Sequence, residues 1–497
     1  MDVLKNVTQY IETTSNTWYT PVNPYEYRKG VSRHVLSEKN GMFTLPKIRW
    51  LEEDTARYAV ARLHYRKVVP VEEKVLNMLI GMYEASEGVK LDGLQKNAII
   101  QAVNSQLFVL TGGPGTGKTT VLKGISFVLK AVFNTKDVLF LSPTGKAARR
   151  ITESTGEMAY TAASAMGLST EDSKPQKLSN KVVIVDESSM LDTITAHALF
   201  SSLDLDSKLI LVGDVEQLPS VGYGAVLRDL IDAGVPCVKL TKTFRQASES
   251  GLFANIEQIK VGLKEGFVER PDFQVFHVSD TDEARNTMVQ EYLDAVKLYG
   301  KEGVVLLTPY RKYGDICAIQ FNRILQHLLN PGNGKKVSYT IAEENGYKYS
   351  VELHEGDPVM QLVNTSSAAN GDTGFVKEIN TSGKYVIVSF GFCTKRYNWR
   401  TLGEITLAYA MSVHKSQGSE YPCVITSAMS EDMAMLSRNT IYTAITRAKK
   451  ECRVITSGDT AQKACGIEAG YERITGLCED IRHQEGMYHL LSAAANF

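Results

Sequence analysis

The sequence has little that would tie it to an oxidising compartment, a membrane or a structural metal. Its seven cysteines, Cys237, Cys317, Cys393, Cys423, Cys452, Cys465 and Cys478, are scattered singly along 497 residues. None stands in a CxxC pair or has a histidine partner at zinc-ligand spacing, so free thiols in a reducing compartment are expected and no structural metal site. No stretch approaches the roughly 18 uninterrupted apolar residues of a membrane span, and residues 1–16 hold no apolar core before a cleavage site. A cytoplasmic protein without membrane attachment is expected. Charge of one sign is lacking too. Lys plus Arg number 55 against 56 Asp plus Glu, so no basic field covers the whole surface, and any nucleic-acid contact must be a local groove. Internal repeats, low-complexity tracts and coiled-coil heptads are also missing.

Core material, by contrast, is plentiful. An apolar fraction of 43% over 497 residues exceeds what one hydrophobic core serves, which predicts two or more domains. From about residue 91, short β-rich apolar runs at 107–110, 138–141, 182–185 and 209–212 alternate with helical stretches, the pattern of a mostly parallel sheet with helices on its faces. A second series starts near residue 235 and resumes at 304–307, with a helical 313–329, then 423–425 and 453–455. The α/β fold class and two cores follow, a first at 91–234 and a second divided into 235–330 and 405–497. Between them, 331–404 turns to Gly/Asn turns and alternating strands. There Asn370-Gly371-Asp372 reads as a tight hairpin turn, since both Asn and Gly tolerate positive φ, and a small all-β insertion is predicted. The first 90 residues, amphipathic at 50–63 and 72–83, read as a mainly helical N-terminal domain. The tail beyond Asp459 reads as helical and carries no motif.

Chemistry enters at residues 112–120, GGPGTGKTT, which fit GxxxxGK[ST] directly after the apolar run 108–110 and before a helical stretch. In such a loop, here Gly112, Gly113, Pro114, Gly115, Thr116 and Gly117, backbone N–H groups converge on phosphate oxygens at the positive end of the next helix. Lys118 reaches the β- and γ-phosphates, the Thr119 hydroxyl completes a Mg²⁺ shell, and Thr120 follows in the same turn. ATP with Mg²⁺ is the expected ligand pair. A second apolar run, 182–185, ends in Asp186-Glu187, where Asp186 would hold Mg²⁺ and Glu187 would polarise the attacking water. A third ends at Asp214, with Gln217 beyond it, a neutral amide suited to sense whether the γ-phosphate is present.

Taken in order, Gln95, GGPGTGKTT, Ser142-Pro143-Thr144-Gly145-Lys146-Ala147-Ala148, VDESSM at 185–190, GDVEQLPSVG at 213–222, TFRQ at 243–246, VHKSQGSE at 413–420 and YTAITRAK at 442–449 form a set. This set resembles superfamily 1 helicases, and within them most the RecD-like group, over about residues 93–457. The resemblance implies two tandem RecA-like P-loop cores, a helical N-terminal domain and a small β-barrel-like insertion in the second core. It implies ATP-driven 5′-to-3′ movement on DNA, in replication, recombination or repair, on single-stranded and tailed duplex DNA. It also implies that Gln95 reads the adenine edge and that Gly418 and Glu420 lie beside the nucleotide. A motor of this kind binds ATP in a cleft between its cores, so Arg245 and Arg447 are expected to touch the γ-phosphate, as planar guanidinium groups suit developing phosphoryl charge.

For the nucleic-acid track, Pro143, Thr144 and Lys146 follow a strand and open a helix, offering amides, a hydroxyl and a cation to a phosphate. Ser412, His414 and Lys415 are expected to do the same from the second core, and Tyr223 offers a face on which a base could stack. Contacts of this type grip the backbone without reading sequence. Two departures from the family pattern stand out. Thr161-Ala162-Ala163 lacks the imidazole that RecD-like proteins carry there, and the short pin-like stretch near 165–180 has no aromatic wedge. Two functions therefore stand open: a 5′-to-3′ DNA helicase, or an ATP-switched nucleic-acid-binding subunit of a larger nuclease complex that does not itself unwind processively.

Overall fold

Strand β3 (Leu107–Gly112) is buried at every position, as its unbroken apolar run requires of a strand covered on both faces. It lies inside a six-stranded sheet with β4 (Val138–Ser142), β5 (Ala159–Thr161), β6 (Val182–Val185), β7 (Lys208–Gly213) and β8 (Cys237–Leu240), in the order β5-β4-β6-β7-β3-β8. All the pairings are parallel, with Thr111 opposite Gly213 and Val185 opposite Leu211, so the carboxyl ends of β3, β6 and β7 open on one edge. An N-terminal hairpin, β1 (Ser37–Lys39) with β2 (Met42–Thr44), stands apart from this sheet. The structure, a computed structural model, describes the chain except residues 1, 22–26, 28–30, 32–35, 40, 66–69, 135–136, 169–172, 244–249, 333, 343–345, 366, 468–472 and 495–497.

Two compact units divide the chain: residues 1–143, 147–245 and 469–497 form the first, and 144–146 with 246–468 the second. In the first, helices cover the sheet on both faces. Glu73–Glu87, Gly93–Asn104 and Lys118–Phe133 bury Ile80, Tyr83, Ile99, Val121 and Ile125 against one face. On the other face, Pro46–Leu63 and Leu477–Ala494 join Thr193–Ser202, burying Ala56, Ala59, Val60, Leu199, Leu227, Leu477 and Ile481 in one cluster. Fully buried Arg62 donates to the carbonyls of Leu203 at 2.9 Å, Asp204 at 2.8 Å and Ser207 at 2.9 Å, satisfying groups beyond the end of Thr193–Ser202.

Three expected boundaries shift. The run after residue 235 forms β8 and pairs with β3, so it belongs to the first sheet, not the second core. Helices expected at 50–63 and 72–83 run Pro46–Leu63 and Glu73–Glu87, and their apolar faces share the first unit's core instead of enclosing one of their own. The tail helix Leu477–Ala494 likewise packs in the first unit, because Leu477 and Ile481 lie against its core.

The second unit has a five-stranded parallel sheet in the order β18-β10-β19-β20-β9. Its members are β9 (Phe273–Val278), β10 (Val304–Thr308), β18 (Ala410–Ser412), β19 (Tyr421–Ala428) and β20 (Ala448–Ser457). The segment expected to be all-β holds a hairpin, β11 (Lys336–Ala342) with β12 (Lys348–His354), and an antiparallel sheet in the order β16-β15-β14-β13-β17. That sheet is built from β13 (Pro358–Gln361), β14 (Thr373–Asn380), β15 (Tyr385–Ser389), β16 (Thr394–Asn398) and β17 (Ile405–Leu407). Buried Asp357 joins the two parts by accepting from Gln326 at 2.5 Å, Asn330 at 2.7 Å, the Tyr409 hydroxyl at 2.8 Å and the His354 N–H at 2.7 Å. Gly371 does take positive φ, 93°, and its N–H bonds to Gln361 O at 2.9 Å, but it ends a longer 362–372 connection and not a two-residue hairpin.

Candidate active site

The loop after β3 has the shape its glycines allow. Gly117 takes φ 84° at the residue that caps helix Lys118–Phe133, a conformation open to glycine without strain. Thr116, buried, donates to Gly113 O at 2.8 Å and so closes the loop on itself. The Lys118 amine folds back onto that loop, with Gly112 O at 2.5 Å and Gly113 O at 3.0 Å. Two neutral carbonyls are weak partners for an ammonium group, so a phosphate would be a stronger one. Thr119 is exposed on the first turn, where its hydroxyl can meet a cation.

Two strands along from β3 in the sheet, β6 ends and Asp186 follows. Burial pushes its carboxyl up to about 6, the charge of Glu187 adds to this, and Lys118 and Arg150 oppose it, so the loop lysine and this carboxylate share one electrostatic neighbourhood. The Asp186 carboxylate accepts the Glu187 N–H at 2.9 Å. Ser188 donates to Val212 O at 2.8 Å and fastens this turn to the end of β7. Gly213 makes that approach possible, since a Cβ there would lie 2.9 Å from Ser188 Oγ and 2.7 Å from Leu227. Beyond it, Asp214 and Gln217 are buried, and the Gln217 amide donates to Asp214 at 3.3 Å. Phosphate loop, acidic pair and amide thus converge on the edge where parallel α/β sheets bind ligands.

Gln95 is buried against the loop. Its amide donates to Thr116 O at 3.2 Å, and its carbonyl accepts Asp92 N–H at 3.1 Å in a capping box. One donor and one lone pair remain for a base edge. Pro143, Thr144 and Lys146 follow β4 and open helix Gly145–Thr155. The half-buried Tyr223 packs with Val7, Ile11, Tyr27, Leu36 and Phe43, which leaves a restricted face for any base. Of the expected pin-like stretch, residues 169–172 lie outside the described residues; beside them the Gln176 N–H donates to Met166 O and the Leu178 N–H to Ser202 O, each at 2.9 Å.

In the second unit, Arg447 is buried and donates to Thr443 O at 3.1 Å, Ser419 O at 3.3 Å and the Thr446 hydroxyl at 3.2 Å. It therefore stands beside the turn that holds Gly418, at φ 72°, and Glu420, whose carboxylate meets Lys449 at 3.3 Å. Ser412 ends β18, His414 and Lys415 lie in the turn Val413–Ser416, and Lys415 donates to Asn370 at 3.0 Å. Burial lowers the Lys415 ammonium below its ordinary range, and Arg311 adds to this. Arg245 lies outside the described residues.

Residues 90–275 match the family model of the AAA domain, and 407–455 that of the UvrD-like helicase C-terminal domain. The ATP-dependent RecD2 DNA helicase of Deinococcus radiodurans is 33% identical over 395 residues, covering 78% of this chain and 52% of that protein. The RecD subunit of the RecBCD enzyme of Mycolicibacterium smegmatis is 30% identical over 430 residues, 78% of this chain and 74% of that one. The chain belongs to the RecD-like group of superfamily 1 helicases. It spans about half the length of the Deinococcus relative. Among solved structures, Bacteroides Pif1 bound to single-stranded DNA superposes with TM-score 0.48 at 19% identity, over 76% of this chain and 94% of that one.

Some contacts in this RecD-like chain carry no motif. Tyr83 donates to Thr120 O at 2.7 Å, steadying the helix that follows the phosphate loop. Ser15 and Arg473 reach the loop after Gln217. Lone polar residues bonded to backbone carbonyls leave no pattern in a sequence.

Proposed function

We propose that this chain is an ATP-driven DNA motor that moves 5′ to 3′ on single strands and unwinds tailed duplexes, in DNA replication, recombination or repair. The observation that carries the reading is the convergence of Lys118, Asp186, Glu187 and Gln217 on one sheet edge, with the Lys118 charge close enough to Asp186 to favour its ionised form. In this reading Lys118 grips the β- and γ-phosphates, Thr119 and Asp186 hold Mg²⁺, Glu187 polarises water, and Arg245 and Arg447 stabilise the transferred phosphoryl group. Gln95 meets the adenine edge, with Gly418 and Glu420 beside the nucleotide. The fold is read as two tandem RecA-like cores with helical N-terminal elements and a small barrel-like insertion. Pro143, Thr144, Lys146, Ser412, His414 and Lys415 form the phosphate track, with Tyr223 beside it. No helix among the described residues is long and apolar enough to cross a membrane. A cytoplasmic location is part of the proposal.

One observation favours the second reading, an ATP-switched subunit of a nuclease complex: the stretch near 165–180 has no aromatic side chain to act as a wedge. ATPase and unwinding assays on 5′-tailed and 3′-tailed DNA and RNA duplexes, with Lys118→Ala as control, separate the two. Unwinding of 5′-tailed DNA supports the helicase. ATP hydrolysis without strand separation supports the subunit, and separation confined to 3′-tailed duplexes refutes the polarity.

A further inference from the structure

The segment 217–224 begins with Gln217 and forms no helix or strand, so its backbone carbonyls must find donors elsewhere. Most of those donors come from the two ends of the first unit. Arg473 donates through Nη2 to Ser220 O at 2.7 Å. Through Nη1 it reaches Gly224 O at 2.7 Å, Gly222 O at 3.1 Å and Ser220 Oγ at 3.2 Å. Ser15 Oγ donates to Val221 O at 2.8 Å, and Ser15 O accepts the Gly224 N–H at 2.9 Å. Thr193 supplies its N–H and hydroxyl to Tyr223 O, at 2.8 Å and 3.0 Å. Each carbonyl from Ser220 to Gly224 is thereby held.

Arg473 is itself fixed. Its carbonyl accepts from Arg228 at 3.3 Å, and the next N–H, of Ile474, donates to Asn16 at 2.6 Å. The Thr475 hydroxyl donates to Asp229 at 2.9 Å, and the Gly476 N–H to Glu52 at 3.0 Å. A planar guanidinium on an anchored backbone holds several carbonyls in one geometry, which a lysine with a single nitrogen cannot reproduce.

We propose that Arg473, helped by Ser15, is a positioning residue for ATP turnover: it fixes the loop that presents Gln217, so segments outside both matched helicase domains set the hydrolysis rate. This rests on the reading of the chain as an ATPase with Gln217 as its γ-phosphate sensor. Misplacing a polar group by about 1 Å costs on the order of 100-fold in rate, so a partly loosened loop has ample leverage.

The test uses the full chain with DNA-stimulated ATPase kinetics, fluorescent-nucleotide binding and thermal melting. Arg473→Ala is expected to lower kcat about tenfold while nucleotide Kd stays within about twofold, with Arg473→Lys in between. Arg482→Ala, which loses a tail contact to Asp232 O away from this loop, keeps wild-type kcat. Gln217→Ala is expected to lose kcat too, and the Arg473→Ala/Gln217→Ala double variant to lose no more than the larger single loss. Wild-type kcat in Arg473→Ala, a loss matched by Arg482→Ala, or fully additive losses in the double variant would each overturn the proposal. Should Arg473→Ala not fold, Arg473→Lys and Ser15→Ala carry the same comparison. A wild-type chain no more active than Lys118→Ala overturns the ATPase reading and this one together, a result recognisable because it does not depend on Arg473.

Discussion

The Asp186 carboxylate accepts the Glu187 N–H at 2.9 Å while Glu187 stands at φ 52°, ψ 34°, in the left-handed region. Placing a residue with a Cβ there costs about 1–2 kcal/mol, and strain of this size persists where surrounding structure over-determines it, as at reacting centres. The turn bends Glu187 away from the strand direction just where the proposed reading puts the general base.

Glu187→Gly should therefore split stability from activity. Relief of the strained φ, less the added freedom of the unfolded chain, should raise stability by up to about 1 kcal/mol in urea unfolding. Loss of the base should cut ATP hydrolysis by about 100-fold or more. Glu187→Gln should lose the hydrolysis without the gain in stability. Undiminished hydrolysis in either variant would remove Glu187 from the chemistry.

Lys118 makes the second case, because its amine meets the neutral carbonyls of Gly112 and Gly113. Lys118→Ala should leave unfolding without nucleotide nearly unchanged. Mg·ATP at 100 times its Kd should stabilise the wild-type chain by about 2.7 kcal/mol. The variant should show little of that stabilisation and no hydrolysis. A full nucleotide-induced rise in melting temperature in Lys118→Ala would place the phosphates elsewhere.

The loops bearing Lys118, Asp186 and Gln217 were legible because each apolar run ends in a glycine or acidic turn, and parallel strands bring such ends to one edge. Partnership was less legible. The amphipathic pattern of Pro46–Leu63 shows that a face is buried, but not that Ala56 and Val60 share a core with Leu477 and Ile481, more than four hundred positions away. The run Cys237–Leu240 is strand-like in either sheet, and only its pairing with Val109–Gly112 assigns it. Arg473 stayed hidden for a different reason, since its partners are backbone carbonyls that any residue could provide.

Arg447 should be sensitive in two ways. Its buried guanidinium holds Thr443 O, Ser419 O and Thr446 Oγ1, so Arg447→Ala takes a donor from the Ser419 carbonyl, while Thr443 O still accepts from the Thr446 hydroxyl at 3.0 Å. A loss of about 1–3 kcal/mol in stability is expected, together with a fall in kcat. Arg447→Lys keeps the charge and part of the bonding, so it should recover most of the stability but little of the kcat if the planar fork is what the phosphoryl group meets. Recovery of both in Arg447→Lys would reduce Arg447 to a structural role.

Glu52 gives a prediction about pH. It is fully buried, and burial pushes its carboxyl up to about 7 even though the Thr17 hydroxyl, the Gly476 N–H and the Trp18 indole all donate to it and favour the ionised form. The folded chain thus holds this proton more tightly than the unfolded chain, whose carboxyl titrates near 4.5. The resulting stability is fully present below that lower value and is lost as pH rises through about 7, by on the order of 3 kcal/mol. Asp229 is pushed up to about 6, chiefly by its own burial, and acts in the same direction. Urea unfolding of the wild-type chain should accordingly show stability falling between about pH 5 and 8. Glu52→Gln cannot titrate, and its amide would turn a donor toward the Trp18 indole, a mismatch costing about 1–3 kcal/mol at the acid end. Its pH slope should be shallower, the remainder belonging to other carboxyls that burial raises, Asp229 and Asp186 among them, so the two curves should converge as pH rises. Parallel curves would mean that Glu52 keeps one protonation state across the range, and that its three donors outweigh its burial.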